Sequence, residues 1–510
     1  MDAEKRLRVC VPICEATIAA ARETIARAAE VADIIELRLD CLSPNELNRA
    51  SELKSVLDSL SVPVIITLRP REQGGTREFD LAVRKHDWFS AADSPQILRD
   101  IELDLALEDP GVFGSVQMDR LICSHHDFSG VLLNAEQIYE QLARTPAGIL
   151  KLAVQAHDVT DCIPMFQLLE RARREQREMI AIAMGPAGIA TRILGPSRGA
   201  FLTYAALDEK NATATGQLTV AELDSLYRID RINQETLITG LIGLPVTQSV
   251  SPNMHNAALE AAGRDGVYIP FPVRDVTEFL KRMVHPRTRE MEWNIRGLSV
   301  TAPHKSAVIS ALDWVEPTAA GLGAVNTIVV EGDELHGYNT DGLAFIQVIK
   351  EAFGELRNAR CAVIGSGGVA RAILWSLKQA TASTTVFARN EAQSKALAAE
   401  FGGGYESLVN PGFATFDLVI NATPLGTTGA MQEETPATAA QLRGARLACD
   451  LVYNPLETRF LREARAAGCQ TLGGLPMLVK QGLEQFRLWT GIEASEQVMS
   501  HAAQEALTAR

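Results

Sequence analysis

The chain has 510 residues, 46% of them hydrophobic, and a net charge of −14 spread without long acidic blocks. That length predicts about two to four domains with full-sized cores. The charge argues against a general nucleic-acid or anionic-membrane surface, while a local basic cluster could still bind a small anion. The opening Met1-Asp-Ala-Glu-Lys-Arg6 lacks the apolar core of a signal peptide. No uncharged apolar run reaches the roughly 18 residues of a membrane span. Eight scattered cysteines without a CxxC pair are expected to be buried free thiols of a cytoplasmic protein.

Apolar, β-branched runs predict strands at residues 8–13, 34–39, 64–68, 98–103, 120–124, 148–154, 179–184 and 200–203. Helical stretches fall between most of them, for example 17–31 and 162–174. Eight strands alternating with helices over about 220 residues fit a closed (β/α)8 TIM barrel, with an open doubly wound sheet as the alternative. Thr219-Val-Ala-Glu222 reads as a capping box opening a last helix at 221–226. A charged stretch at 227–235 marks the boundary. Beyond it come strands at 236–243 and 267–273 and a hairpin of 325–330 with 335–339. Then follow a strand, Gly loop and helix from 360, and strands at 384–388, 417–421 and 447–451. The expected division is 1–228 for the barrel and 236–344 for a substrate lobe, to which helices in 475–510 return. A Rossmann-like nucleotide lobe would take 345–474.

In a (β/α)8 barrel the active site lies at the C-terminal strand ends. There the sequence places Glu36, Arg38, Arg69, His126 and Lys151, with Arg192 after the seventh strand. Lys151, flanked by Leu150 and Leu152, is expected to be desolvated. Burial and neighbouring arginines would lower its pKa from about 10.4 and free a lone pair. A neutral amine can attack a ketone and form a Schiff base. An imidazole is a natural proton shuttle, and arginines suit a carboxylate substrate.

Glu36-Leu-Arg38, Arg69 with Gly74-Gly75, His126-Asp-Phe, Lys151, Met184, Arg192 and Thr213-Ala-Thr-Gly-Gln217 together resemble type I 3-dehydroquinate dehydratase. The resemblance implies an imine between Lys151 and 3-dehydroquinate, proton transfer by His126 and carboxylate binding by Arg192. Glu36, Arg38 and Arg69 would bind hydroxyls and polar neighbours, and Thr213 and Gln217 would lie on a substrate-closing loop. Where the family usually has Glu before the Gly-Gly pair, this chain has Gln73. An amide can hydrogen-bond the imidazole but cannot stabilise imidazolium by charge, so a weaker or pH-shifted dehydratase is expected.

In the second half, the strand Cys361-Ala-Val-Ile364 leads into Gly365-Ser-Gly-Gly-Val-Ala370 and an apolar helix. Gly365, Ser366, Gly367, Gly368, Val369 and Ala370 are therefore expected to bring backbone to a pyrophosphate. The next strand ends in Ala388-Arg389-Asn390. Arg389 would attract a 2′-phosphate that an acid would repel, so NADP is the expected cofactor.

Ser249, Ser251, Thr301, Lys305, Ala324-Val-Asn326, Asp341, Asn421-Ala-Thr423, Tyr453 and Met477-Leu-Val-Lys-Gln481 fall in the order of shikimate dehydrogenase, which the second half resembles. By that resemblance Ser249 and Ser251 bind a carboxylate, and Asn326, Thr301, Asp341 and Gln481 bind ring hydroxyls. Tyr453 adds to the substrate site, and Thr423 and Gly474 to the cofactor site. Lys305 and Asp341 flank the reacting C–O bond. Ser299 stands where the family usually has Asn. No metal-ligand cluster is recognisable.

Together the halves resemble the bifunctional dehydratase–dehydrogenase of aromatic amino-acid synthesis. The expected ligands are 3-dehydroquinate, 3-dehydroshikimate, shikimate and NADPH, with no nucleic acid or membrane partner, in a monomer or small homo-oligomer. The runner-up is a second half that works as a quinate/shikimate dehydrogenase with NAD.

Overall fold

The computed structural model describes residues 8–509, apart from 87, 90–93, 95, 115, 131–133, 214, 215 and 410. The chain forms two compact units. The first runs to Leu237 and takes in Pro245–Thr247 and Ile269–Asn294. The second holds Ile238–Leu244, Gln248–Tyr268 and the chain from Ile295 on. Among the described residues, no helix is long and apolar enough to cross a membrane.

The first eight strands are β1 Val9–Ile13, β2 Ile34–Arg38, β3 Val64–Thr67, β4 Ile97–Glu102, β5 Leu121–Asp127, β6 Ile149–Gln155, β7 Glu178–Met184 and β8 Thr203–Tyr204. They pair in parallel in the order β7-β6-β5-β4-β3-β2-β1-β8. A bridge between Met179 and Ala200 joins the ends of that row. This is a (β/α)8 barrel rather than an open sheet. Side chains alternate along each strand, so every second residue points inward. Ile34, Ile65, Leu98, Ile122, Ile149, Ile180 and Leu202 fill the interior as an apolar layer. The following alternate positions, towards the C-terminal ends, are Glu36, Thr67, Asp100, Ser124 and Lys151. One flanking helix is Ile18–Ala28, whose N-cap Thr17 accepts from the Ala20 N–H; Cys162–Arg174 is another.

Three local expectations change. The eighth strand is only two residues long and begins at Thr203, because Phe201 donates its N–H to Met179 as the chain turns into the seam. Glu222–Leu226 is one wide π-type turn, although Thr219 and Glu222 make the reciprocal capping bonds. Cys14 and Cys41 form a disulfide, where free thiols were expected. Parallel pairing of Ile13 with Leu37 brings the two strand ends side by side, which their 27-residue separation conceals. The other six cysteines are free and buried.

The later strands form two six-stranded sheets. The first has the order β10-β9-β11-β13-β14-β12. Its strands are β9 Leu237–Gly243, β10 Gly266–Pro272, β11 Ile295–Val300, β12 Trp314–Val315, β13 Thr327–Glu331 and β14 Glu334–Tyr338. β13 and β14 are the expected hairpin. β11 escapes an apolar-run reading because Arg296 and Gly297 interrupt it. Gly297 is required there: a Cβ would lie 1.9 Å from the Trp489 ring, whose Nε1 donates to the Ile328 carbonyl at 3.0 Å. That tryptophan belongs to the helix Leu475–Thr490.

The last sheet holds β15 Arg360–Ile364, β16 Ser383–Ala388, β17 Gly404–Ser407, β18 Leu418–Asn421, β19 Leu447–Asp450 and β20 Gln470–Leu472. Its order is β17-β16-β15-β18-β19-β20 and every pair is parallel. This is the doubly wound dinucleotide-binding arrangement, with the strand order reversing between β15 and β18.

Candidate active sites

In the barrel, one cavity of about 400 Å³ is lined by Glu36, Arg38, Arg69, Gln73, His126, Lys151, Met184, Arg192, Thr213 and Gln217. Every dehydratase position expected from the sequence is on that wall. Ala214 and Thr215, between the last two, lie outside the described residues.

Lys151 is 3% exposed. Its Nζ donates to Tyr204 Oη at 2.8 Å, Asp100 Oδ2 at 3.0 Å and Glu36 Oε1 at 3.2 Å. Two carboxylates and a phenol therefore surround the amine, not the arginines expected to press on it. Arg69 reaches the amine only through a shared carboxylate: it donates to the same Asp100 Oδ2 at 2.7 Å, and also to Ser124 at 2.8 Å and Glu102 at 3.0 Å. Burial acts to raise the Asp100 carboxyl, but Arg69 and Lys151 outweigh it and hold it at about 2. Glu102 goes the other way: burial, with Asp100 nearby, lifts it to about 7 in spite of Arg69. Arg38 is clamped by both oxygens of Asp40 at 2.8 Å.

Asp100, Glu102, Ser124 and Tyr204 were not singled out from the sequence. The alternation Leu98, Asp100, Glu102 along one strand was the available signal: two acids at inward positions of a barrel.

Arg192 is 2% exposed and has no carboxylate partner among the described residues. Its Nη1 donates to the Tyr204 carbonyl at 3.4 Å, and its Nε has no partner. Burial lowers it to about 10. A buried guanidinium facing a cavity without a counter-anion is a site for a carboxylate ligand.

Burial, followed by Arg69, Lys151 and Arg38, holds the His126 imidazole well below its usual range, so it is neutral at pH 7. Its buried Nδ1 has no hydrogen-bond partner among the described residues. Gln73 does not bond the ring as expected; its Oε1 accepts the His126 backbone N–H at 2.9 Å. A neutral base with a depressed pKa keeps kcat/KM for dehydration flat down through pH 6.5, with a fall only at lower pH. Gln73→Glu places a carboxylate beside His126, favours imidazolium, and is expected to move that acid limb upward by roughly one pH unit. Superimposable pH–rate profiles for the two forms would refute this.

In the second unit, Lys305 Nζ donates to Asp341 Oδ2 at 2.6 Å. Asp341 Oδ1 accepts Asn326 Nδ2 at 2.9 Å. Asn326 is 2% exposed. Its other contacts are to Thr340 and Thr327, so its side chain is engaged within the protein. Ser249 Oγ donates to Ser251 Oγ at 3.0 Å, and Ser251 opens the helix Ser251–Ala261. Thr301 is half-buried and follows β11. Tyr453 is half-buried after β19. The Gln481 carbonyl accepts from Thr340 Oγ1 at 3.4 Å.

Gly365 follows β15 at the reversal point with φ +126°, and a Cβ there would lie 2.8 Å from the Ala422 carbonyl oxygen. Hydrogens at Gly367 and Gly368 face open space at the start of the helix Gly368–Gln379. Val369 and Ala370 are in its first turn. Ala388 ends β16, Arg389 is exposed with no ion pair among the described residues, and Asn390 caps the next helix. Thr423 is tied to Asn421 beside the Gly loop. At Gly474 a Cβ would lie 2.5 Å from the Leu451 carbonyl oxygen. An open glycine turn, free helix amides and an exposed arginine past the second strand fit a dinucleotide with a 2′-phosphate.

A family model for type I 3-dehydroquinase matches residues 9–234. Models for the shikimate dehydrogenase substrate-binding domain and the shikimate 5′-dehydrogenase C-terminal domain match 241–328 and 474–504. The chain is 31% identical to the chloroplastic bifunctional 3-dehydroquinate dehydratase/shikimate dehydrogenase of Arabidopsis thaliana, over 96% of this chain and 83% of that one.

The chain belongs to the bifunctional 3-dehydroquinate dehydratase/shikimate dehydrogenase family.

The dehydrogenase half of this bifunctional enzyme is also 40% identical to a shikimate dehydrogenase (NADP+) of Moorella thermoacetica, over 55% of this chain and 96% of that one. A crystal structure of a shikimate dehydrogenase with NADP+ aligns at 35% identity and a TM-score of 0.50, over 54% of this chain and 97% of that chain.

Proposed function

We propose that the barrel (1–228) dehydrates 3-dehydroquinate through an imine on Lys151, and that the second half reduces the resulting 3-dehydroshikimate to shikimate with NADPH. The substrate and cofactor lobes of that half would be 236–344, with helices from 475–510, and 345–474. The observation that carries the first reaction is the buried amine beside a neutral imidazole, with an unpaired guanidinium in the same cavity. Arg192 holds the substrate carboxylate. The neutral amine of Lys151 adds to the ketone, and the carbonyl oxygen leaves as water to give the imine. His126 takes the proton from the adjacent carbon while the imine holds the electrons. The hydroxyl leaves as a second water, and hydrolysis of the imine frees the product and Lys151. Asp100 stays an anion and aims the amine; Tyr204 and Glu36 complete its setting. Thr213 and Gln217 line the same cavity and would close over the substrate.

In the second half Ser249 and Ser251 take the carboxylate of the substrate, with Thr301, Tyr453 and Gln481 around its ring. NADPH supplies the hydride. Lys305 gives its proton to the carbonyl oxygen, and Asp341 aligns and tunes it. Arg389 attracts the 2′-phosphate. Arg389→Ala is expected to raise KM for NADPH about tenfold or more, the worth of a charge-assisted contact, and to leave KM for NADH little changed. Equal effects on both cofactors would remove this assignment and favour the quinate/shikimate reading with NAD. A cytoplasmic monomer or small homo-oligomer is the accompanying proposal.

The test of the two-step reading is NADPH oxidation on mixing the chain with 3-dehydroquinate alone. Steady oxidation requires both sites. If none occurs, adding 3-dehydroshikimate tells a failed dehydratase from a failed dehydrogenase.

A further inference from the structure

Four polar side chains lie buried in the second unit without an assigned role: Tyr268 at 0% exposure, Ser299 at 5%, Thr327 at 0% and Gln485 at 1%. They form one hydrogen-bonded line ending at the Lys305–Asp341 pair, and its polarity is forced. The Thr340 backbone N–H can only donate, and it donates to Asn326 Oδ1 at 2.8 Å. Asn326 Nδ2 therefore faces Asp341. Thr327 Oγ1 lies 2.8 Å from that same Asn326 oxygen and must donate to it. The Thr327 oxygen in turn accepts Gln485 Nε2 at 3.0 Å. The Gln485 amide is thereby oriented, with Oε1 accepting from Ser299 at 2.8 Å, and Ser299 accepting from Tyr268 Oη at 2.9 Å. On its far side the Ser251 hydroxyl, which itself accepts from Ser249, lies close enough to act on the phenol as a donor. His255 stacks on the Tyr268 ring, centroids 4.4 Å apart and planes 12° from parallel, with neither ring nitrogen bonded. It acts as a plate that holds the phenol in line.

We propose that Tyr268, Ser299, Gln485 and Thr327 are positioning residues for the reduction, a relay that fixes Asn326 and thus Asp341 and Lys305, and ties that setting to the serines at the carboxylate end. The inference rests on the dehydrogenase reading above and deepens it. Donors in such a chain polarise one another, so removing an interior member is felt along the whole line. A substrate carboxylate that captures the Ser251 hydroxyl withdraws only the terminal donor, because the polarity is pinned at the Thr340 end. Ser299, engaged on both sides, belongs to this relay and not to the ring-binding surface.

The test is steady-state reduction of 3-dehydroshikimate by the full chain and its variants. Gln485→Met keeps the shape and removes all three of its bonds, those with Ser299, Thr327 and the Asn326 carbonyl. We expect kcat to fall about fivefold, the worth of roughly one net hydrogen bond, with KM for 3-dehydroshikimate and the Kd for NADPH each within about twofold. Tyr268→Phe should lower kcat about threefold by the same reasoning. Because both act in one line, the double variant should be no slower than Gln485→Met alone. The relay is overturned if kcat is unchanged in Gln485→Met, if the loss falls on KM, or if the two effects multiply. Should Gln485→Met lose NADPH binding, the milder Tyr268→Phe decides by the same kcat-against-KM split. A wild-type chain that dehydrates but does not reduce 3-dehydroshikimate sinks the functional reading and the relay with it. An active wild type with an unaltered Gln485→Met sinks the relay alone.

Discussion

Lys151→Met is expected to lower dehydration of 3-dehydroquinate by at least ~10⁴-fold, because the covalent route disappears and not one contact among many. Borohydride added with 3-dehydroquinate should fix the substrate to the wild-type chain and not to the variant, as read by intact mass. Reduction of added 3-dehydroshikimate should be untouched. The variant should also be less stable. Its missing amine leaves Glu36, buried at 4% exposure, with the hydroxyls of Thr67 and Tyr204 as its side-chain hydrogen-bond partners among the described residues. Breaking a buried ion pair on one side typically costs about 3–5 kcal/mol, which thermal unfolding would show. Asp100 suffers less, since Arg69 and Ser124 remain on it. Retained turnover, or label on the variant, would remove the imine assignment.

Lys305→Met should depress reduction of 3-dehydroshikimate by ~10²–10⁴, the range for a positioned proton donor. KM should change less, because the charge acts on the oxygen only as hydride adds. The informative experiment supplies 3-dehydroquinate and NADPH together. The Lys305 variant should accumulate 3-dehydroshikimate, seen as enone absorbance, without consuming NADPH. The Lys151 variant should do neither until 3-dehydroshikimate is added. Asp341→Asn tests the partner: its amide can still take a bond but cannot balance the ammonium that sits 2.6 Å away. A Lys305 variant that oxidises NADPH at the parental rate would falsify the proton-donor role.

Strand positions were the most readable part of this sequence. Seven of the eight barrel strands lie where buried β-branched runs place them, because the barrel interior rewards such runs. What escaped depends on contacts between distant segments. β11 carries a glycine that makes sense only once Trp489 is seen against it. The Cys14–Cys41 bond follows from parallel register between β1 and β2, which no spacing rule reveals. At the first site the ligand-facing residues could be read from strand ends, while the setting of Lys151 could not. Arg69 looks like a cation pressing on the amine until Asp100 and Glu102 are found to neutralise it. Gln73 stands at the expected place with a different partner, since a side-chain amide oxygen can accept from backbone N–H as readily as an amide can bond an imidazole. In the second unit the resemblance points to Asn326 as a ring-binding residue, while its bonds to Thr340 and Asp341 could be seen only in the fold.

The barrel is apolar in one layer and crowded with Glu36, Asp100, Arg69, Lys151 and Arg192 above it, all at most 6% exposed. Ionised groups in that volume oppose folding, and well-packed leucine or valine would commonly make the barrel sturdier. Mutation alone would therefore erode this mouth first in a lineage released from its substrate, and heat selection would speed the erosion. A fold kept only as a scaffold, or as a passive sensor, has no reason to keep an unpaired guanidinium beneath a pocket. Its presence is a record of use: the interior is held away from its own most durable state by the molecule it handles.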